Sequence, residues 1–362
     1  MRARDSEARM KTTILLTSSI LLVAACGGSE GREPNVATAS SASAAPSTAT
    51  SASSVASAAP SASPEELQKQ RELAELRADR ERWQRAEAVE TARWTPELHS
   101  AAKALVEKKF PNVKAALTAI VASKHRKPAN AARDGARHPI ETLDKLGFST
   151  DMAVLDIGPG EGWYTELLAP ALASKGKYFA TSGDPNGPAD ARPTFYAQRW
   201  PAFLAKSPEL YGKVQTVVVD GRHPKLALDG QLDMVLWMRG IHGAVNGGTF
   251  DAWLAEIYRS LKPGGVLGVE EHRAAVGADA VQSAKKGYVP EAFVIEHAKA
   301  AGFEVGGQYE VNANPRDTKD YPEGVWALPP TFERGDKDRE ALAAIGESDR
   351  MTIKLVKPKA KK

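Results

Sequence analysis

The stretch VLDIGPGEGWYTELLAP, residues 154–170, decides how this chain is read. An apolar run containing Asp156 meets three glycines at alternate positions, Gly158, Gly160 and Gly162, and Trp163 opens a segment of helical composition. Glycine suits a strand that turns sharply into a helix, because it tolerates positive φ and has no Cβ to keep a ligand off the backbone. A helix start beside such a turn presents free amides to a carboxylate or phosphate. A glycine loop serving only chain reversal would not need Asp156 as well. The spacing is G-x-G-x-G with an acid two residues before it, which differs from the G-x-G-x-x-G of dinucleotide folds.

Working outward, apolar runs rich in Val, Ile and Leu recur at 152–157, 177–181, 214–219, 232–238 and 265–270, between helical segments. That alternation predicts an α/β fold, a mostly parallel sheet buried on both faces. Amphipathic helices are expected over 97–109 and 111–123, then a polar stretch through Asn130. About 267 residues follow position 96, ample for one such domain, and no internal repeat is visible.

Before the domain the composition changes. Residues 35–63 are almost all Ser, Ala, Thr and Pro, which reads as a disordered tether. Ser63-Pro64-Glu65-Glu66 then reads as a helix start, Ser63 capping the Glu66 amide. The polar segment through about residue 94, with only a broken apolar stripe of Leu73, Leu76 and Trp83, is expected to be a solvated helical stalk or a weak coiled coil.

The chain has 362 residues and one cysteine, which excludes an intrachain disulfide and a cysteine-rich zinc site. Cys26 closes ILLTSSILLVAAC, a run too short for a comfortable bilayer span. The layout resembles a bacterial lipoprotein signal with Val23-Ala24-Ala25-Cys26 as its lipobox. It implies removal of residues 1–25, acylation of Cys26, a tether over 26–63 and a lipid-anchored place in the bacterial cell envelope. Asp5 and Glu7 do not suit the basic start of such a signal, so translation is expected to begin at Met10 rather than Met1. The net charge of +3 becomes 44 basic against 43 acidic residues once 1–25 are removed. That leaves no basic field to suggest nucleic acid as a partner, although the tail Lys357, Lys359, Lys361, Lys362 is locally basic.

The glycine loop, followed about 100 residues later by Leu261-Lys262-Pro263-Gly264-Gly265 ahead of an apolar strand, resembles the class I S-adenosylmethionine-dependent methyltransferases. With ARDGARHPIETLDKLGF, WMRGIHG, LKPGGVLGVEEHRA, NANPRDTKDYPEGVWALPP and IGESDRM, the likeness narrows to a bacterial group of predicted methyltransferases, often secreted or lipid-anchored, over Arg133 to Pro358. It implies a Rossmann-like, mostly parallel seven-stranded sheet with S-adenosylmethionine as cofactor. This chain departs from the group at Gly240, where an Asn is usual after the fourth strand. The acid that usually ends the second strand is displaced to Asp184 or missing.

By resemblance, Gly158, Gly160 and Gly162 admit the methionine part of the cofactor, Asp156 fixes the loop and contacts the cofactor's amino end, and Asp184 takes the ribose hydroxyls. Asp220 either meets adenine or is an ordinary turn aspartate before Gly221. For the acceptor, His242 lies just past the fourth strand, either as a general base for a hydroxyl or amine or as a loop residue positioning backbone. Arg239 either binds an anionic acceptor group or pairs with an acid. His138, His272 and Glu271 could join His242 around a divalent metal, but they lack the spacing of a metal motif, so none is assigned. Trp163 and Tyr164 either wall the cofactor pocket or pack the core. Residues 314–330 hold too much Pro, Asp and Gly for a core element and read as a surface excursion that could act as a lid. The Asn314-Pro315 pair is not the Asn-Pro-aromatic motif of nucleic-acid methyltransferases, which follows the fourth strand, where this chain has Met238-Arg239-Gly240-Ile241.

The expected function is methyl transfer to a small-molecule acceptor. The alternatives are a lipid-anchored binding module without turnover and a metal-dependent hydrolase or lyase on the same fold. An export signal conflicts with a cofactor made and kept mainly in the cytoplasm.

Overall fold

Successive residues of a strand face opposite sides of its sheet, and the first strand here is buried on both. Leu155 and Ile157 join one apolar cluster, while Val154 joins a second. The computed structural model describes residues 63–359; the signal segment, Cys26 and all but the last residue of the expected tether lie outside the described residues.

The strands are β1 (Ala153–Ile157), β2 (Lys177–Ser182), β3 (Gln215–Val218), β4 (Leu232–Met238), β5 (Leu261–His272), β6 (Glu304–Tyr309) and β7 (Arg350–Val356). They form one seven-stranded sheet in the order β3-β2-β1-β4-β5-β7-β6. β1 to β5 pair in parallel, and β7 runs antiparallel to both β5 and β6. Helices cover both faces, as the alternation of apolar runs predicts. Pairing reaches back to Leu261, partnered with Leu232, so Leu261-Lys262-Pro263-Gly264-Gly265 is the irregular first part of β5 rather than a turn ahead of it.

Local signals set most helix ends. Ser63 and Glu66 form a capping box at the helix Pro64–Arg93, and Thr95 and Asn112 cap Pro96–Glu107 and Val113–Val121. Trp163 does not open its helix, which starts at Thr165; Trp163 lies in the preceding turn, 5% exposed, its indole N–H donating to the Asn130 carbonyl at 2.8 Å.

Two expectations change. The helix Pro64–Arg93 is exposed along its outer face but docked along one side. Its later half lies against the helix Arg192–Ala205, where Trp83 meets Phe195 edge-on at 5.9 Å and Asp79 pairs with Arg192. Glu87 pairs with Lys206 at 2.6 Å, and Arg93 donates to the carbonyls of Lys124 and His125. Spaced charges and one aromatic dock it where an apolar stripe is missing. The excursion 314–330 is packed rather than loose. Tyr321, Ala327 and Leu328 make a small core with Leu342, and Val325 packs with Ala274 and Tyr288.

Candidate active site

The strand order reverses between β1 and β4, with β2 and β3 on one side and β5 on the other. In open α/β sheets the loops leaving such neighbours diverge, and ligands bind in the crevice outside their carboxyl ends. A cleft of about 590 Å³ lies there, lined among others by Ile157, Gly158, Gly221, Trp237, Arg239 and Gly240. That volume is in the ordinary range for a small-molecule site.

The three glycines serve different ends. Gly158, at φ +66°, borders the cleft; a Cβ there would meet nothing, and its N–H donates to Thr181 Oγ1 at 2.8 Å. Gly160, at φ +59°, borders a second cleft of about 290 Å³ beneath the helix Pro64–Arg93. Gly162, at φ +83°, makes room for the Phe203 ring.

Asp156 is 2% exposed and accepts from the Tyr178 hydroxyl at 2.9 Å, which in turn meets Thr165 Oγ1 at 2.9 Å. It therefore ties β1 to β2 and to the helix that follows the loop. Burial pushes its carboxyl up to about 6, against the opposing influence of the Tyr178 bond and the Arg239 charge. Asp184 and Asp220 are exposed. Asp184 Oδ1 accepts from the Asn186 amide at 2.9 Å, and Asp220 accepts from the Arg222 amide and His223 Nδ1, both at 2.9 Å.

At the end of β4, Arg239 sits at φ +55°, a left-handed conformation uncommon outside glycine and of the kind held at functional sites. Its guanidinium pairs with the fully buried Glu270 at 2.9 Å, so the pairing with an acid is present. Three residues on, His242 Nδ1 lies 3.2 Å from Glu271 Oε1, while Glu271 Oε2 accepts from the Ile241 amide at 2.6 Å. Burial disfavours the charged His242 ring, but the hydrogen bond and charge of Glu271 outweigh it and hold the imidazole above its ordinary value. The Trp326 ring stands edge-on to His242 at 6.1 Å.

His272 is brought to within 6.0 Å of His242, ring to ring, and contacts Ser348 Oγ. Burial, then the charges of His242 and nearby arginines, hold it well below its ordinary value. His138, at φ +40°, lines another cleft with Val113, Leu117, Ile140 and Phe148. Among the described residues no group of three or more His, Cys, Asp or Glu side chains is arranged to hold a metal ion. Trp163 and Tyr164 are both buried.

The sequence reading missed the ionic network behind this site. Glu270 Oε1 faces Arg239 and Arg350, and its Oε2 accepts from the Tyr164 hydroxyl at 3.0 Å. Glu347 faces Arg133, Arg137 and Arg350. The available signal was two successive acids, Glu270 and Glu271, closing an otherwise apolar strand, since carboxylates are rarely fully buried unless paired.

Residues 155–269, about a third of the chain, match the family model described as a methyltransferase domain. No curated protein matches. Among solved structures the chain is similar to a SAM-dependent methyltransferase from Aquifex aeolicus, at 19% identity over 69% of this chain and 100% of that one, with a TM-score of 0.41. It is also similar to an S-adenosylmethionine-dependent methyltransferase from Mesorhizobium loti, at 14% identity over 61% and 97% of the two chains and a TM-score of 0.38. A third is phosphoethanolamine N-methyltransferase 2 of Haemonchus contortus in complex with S-adenosyl-L-methionine, at 15% identity over 67% and 60% and a TM-score of 0.40. The strand order and the match over residues 155–269 agree with a methyltransferase domain, for which the sequence leads one to expect S-adenosylmethionine. The residues present fit that cofactor at Gly158, whose open left-handed backbone borders a cleft large enough for it.

Proposed function

We propose that the chain transfers a methyl group to a hydroxyl or amine of a small-molecule acceptor, from a lipid-anchored position in the bacterial envelope. The observation that carries the first part is that Gly158, Arg239, Gly240 and Gly243 border one cleft at the switch point, with His242 in the same segment after β4 although it does not itself line the cleft. Bound S-adenosylmethionine supplies an electrophilic methyl group. The Gly158 loop would hold it by backbone approach. His242 is the base: Glu271 occupies Nδ1 and fixes the ring, so Nε2 is the atom that takes the acceptor's proton. General-base assistance of this kind is worth about 10²–10⁴-fold, and positioning with exclusion of water supplies the rest. Trp326 beside His242 helps keep water from the ring.

Calorimetric titration of the full chain with S-adenosylmethionine and S-adenosylhomocysteine tests this. Binding is expected, and its absence at millimolar ligand would sink the reading. His242→Ala should keep binding and lose turnover; lost binding in that variant would make the histidine structural. One observation favours the second reading, binding without turnover: Asp184 spends its carboxylate on its own loop. Bound cofactor whose methyl group persists with every acceptor class tried would support it. The anchor is motivated by the apolar run ending in Cys26, and Cys26→Ser should abolish fatty-acid labelling and release the protein from membranes.

A further inference from the structure

Four guanidiniums, those of Arg133, Arg137, Arg239 and Arg350, gather behind the cleft around two carboxylates, Glu270 and Glu347. The other titratable groups near them are engaged elsewhere: Asp156, which feels the Arg239 charge, accepts from the Tyr178 hydroxyl, Glu271 is held by His242 and backbone amides, and His272 is held well below its ordinary value. Both carboxylates are also used up. Each oxygen of Glu270 has a partner, from Arg239 and Arg350 on one side and Tyr164 on the other, and each oxygen of Glu347 faces at least one arginine.

Two of the arginines have donors to spare. Arg137 is 4% exposed, and its only ion-pair contact is Nε to Glu347 at 3.4 Å; its two terminal nitrogens have no hydrogen-bond partner among the described residues. Arg239 commits one terminal nitrogen to Glu270, and it borders the cleft. The two lie on adjoining rings at the foot of the glycine loop. Arg137 stands over Trp163 at 4.8 Å, Arg239 over Tyr164 at 5.9 Å, and the rings meet edge to face at 4.7 Å. Burial, and then repulsion from Arg239, bring Arg137 down to about 9, with the charge of Glu347 only partly offsetting them. Guanidiniums with free planar donors match the oxygens of a carboxylate or phosphate.

We propose that Arg137 and Arg239 form an anion site beside the cleft that Arg239 borders, which receives a carboxylate or phosphate group of the methyl acceptor. The inference rests on the small-molecule reading above and narrows it to acidic acceptors. The methionine carboxylate of the cofactor is the other source of the same chemistry, and the experiment separates the two.

Full-length protein is titrated with succinate and with inorganic phosphate, by calorimetry and thermal melting, with and without saturating S-adenosylhomocysteine. Saturable binding of at least one anion is expected, with affinity unchanged when S-adenosylhomocysteine is bound. Arg137→Met keeps an apolar stem on Trp163 and leaves Arg133 and Arg350 on Glu347; it should weaken the anion at least tenfold and leave S-adenosylhomocysteine affinity within twofold. Arg85→Met, on the exposed outer face of the helix Pro64–Arg93, should change neither. Absence of saturable binding, or equal binding in Arg137→Met, overturns the proposal. Displacement of the anion by S-adenosylhomocysteine, measured on the unaltered chain, assigns the arginines to the cofactor and overturns it too. Cofactor binding is read separately, so loss of the anion site does not count against methyl transfer, whereas absent S-adenosylhomocysteine binding does.

Discussion

A single pair, His242 with Glu271, shows how a buried carboxylate sets the chemistry of a neighbour. Glu271 is fully buried and holds both the imidazole and the amide that starts the next turn. Its charge keeps the His242 ring protonated to a higher pH than an ordinary histidine. In Glu271→Gln the amide oxygen can still accept from Ile241, but the charge is gone and burial alone remains. The His242 titration midpoint, followed by NMR, should therefore fall below that of the parent; an unchanged midpoint would separate the two residues. Gly162 illustrates a different lesson. Its motif position suggests contact with a ligand, yet the space a Cβ would enter belongs to Phe203. Gly162→Ala should cost about 1–3 kcal/mol in denaturant unfolding, from overpacking and a left-handed backbone. Both effects were beyond sequence reasoning, because the partners lie 29 and 41 residues away.

Among elements, the helix Pro64–Arg93 departs furthest from its composition. Its pattern carries too few apolar residues to predict burial, and Leu76 is its one fully buried side chain. Docking comes from Trp83 against Phe195 and from ion pairs to Arg192 and Lys206. Asp79–Arg192 is a partly exposed pair of the kind that contributes about 0–1 kcal/mol, and Glu87–Lys206 is only partly exposed, so the aromatic contact should carry a large share of the docking. Trp83→Ala is expected to cost about 1–3 kcal/mol and to speed amide exchange across the later half of this helix. Exchange unchanged there would mean the charges hold it alone. Strand-level reading fared better. β4 was placed at 232–238 and is found as Leu232–Met238, because a strand buried on both faces shows an uninterrupted apolar run. The excursion 314–330 was legible as irregular, but its burial depends on Leu342, Ala274 and Tyr288, which no local pattern could supply.

For the whole molecule, buried carboxyls make stability depend on pH in two opposite ways. Asp156 is raised to about 6 in the fold, so its contribution is full below the unfolded value near 3.8 and is lost as pH rises through about 6. The loss is on the order of 3 kcal/mol. Asp156→Asn should remove that dependence and make the protein more stable than the parent at pH 7.5 in urea melts, provided Tyr178 keeps an acceptor; equal stability at pH 7.5 would count against it. Glu347 is held down to about 2 by Arg133, Arg137 and Arg350 despite burial, so its contribution is present above about 4.5 and lost as pH falls toward 2. The α/β class, the glycine loop between β1 and its helix, and the capping box at Ser63 are legible in the residues alone, because they depend on local φ preference, periodicity and neighbours a few residues apart. What depended on the tertiary fold is that Gly158 and Gly160 border different clefts while Gly162 makes room for Phe203, and that four arginines share two carboxylates. Those are contacts between segments as distant as Arg133 and Glu347, and a charge's partner is set by where the sheet brings its strand ends.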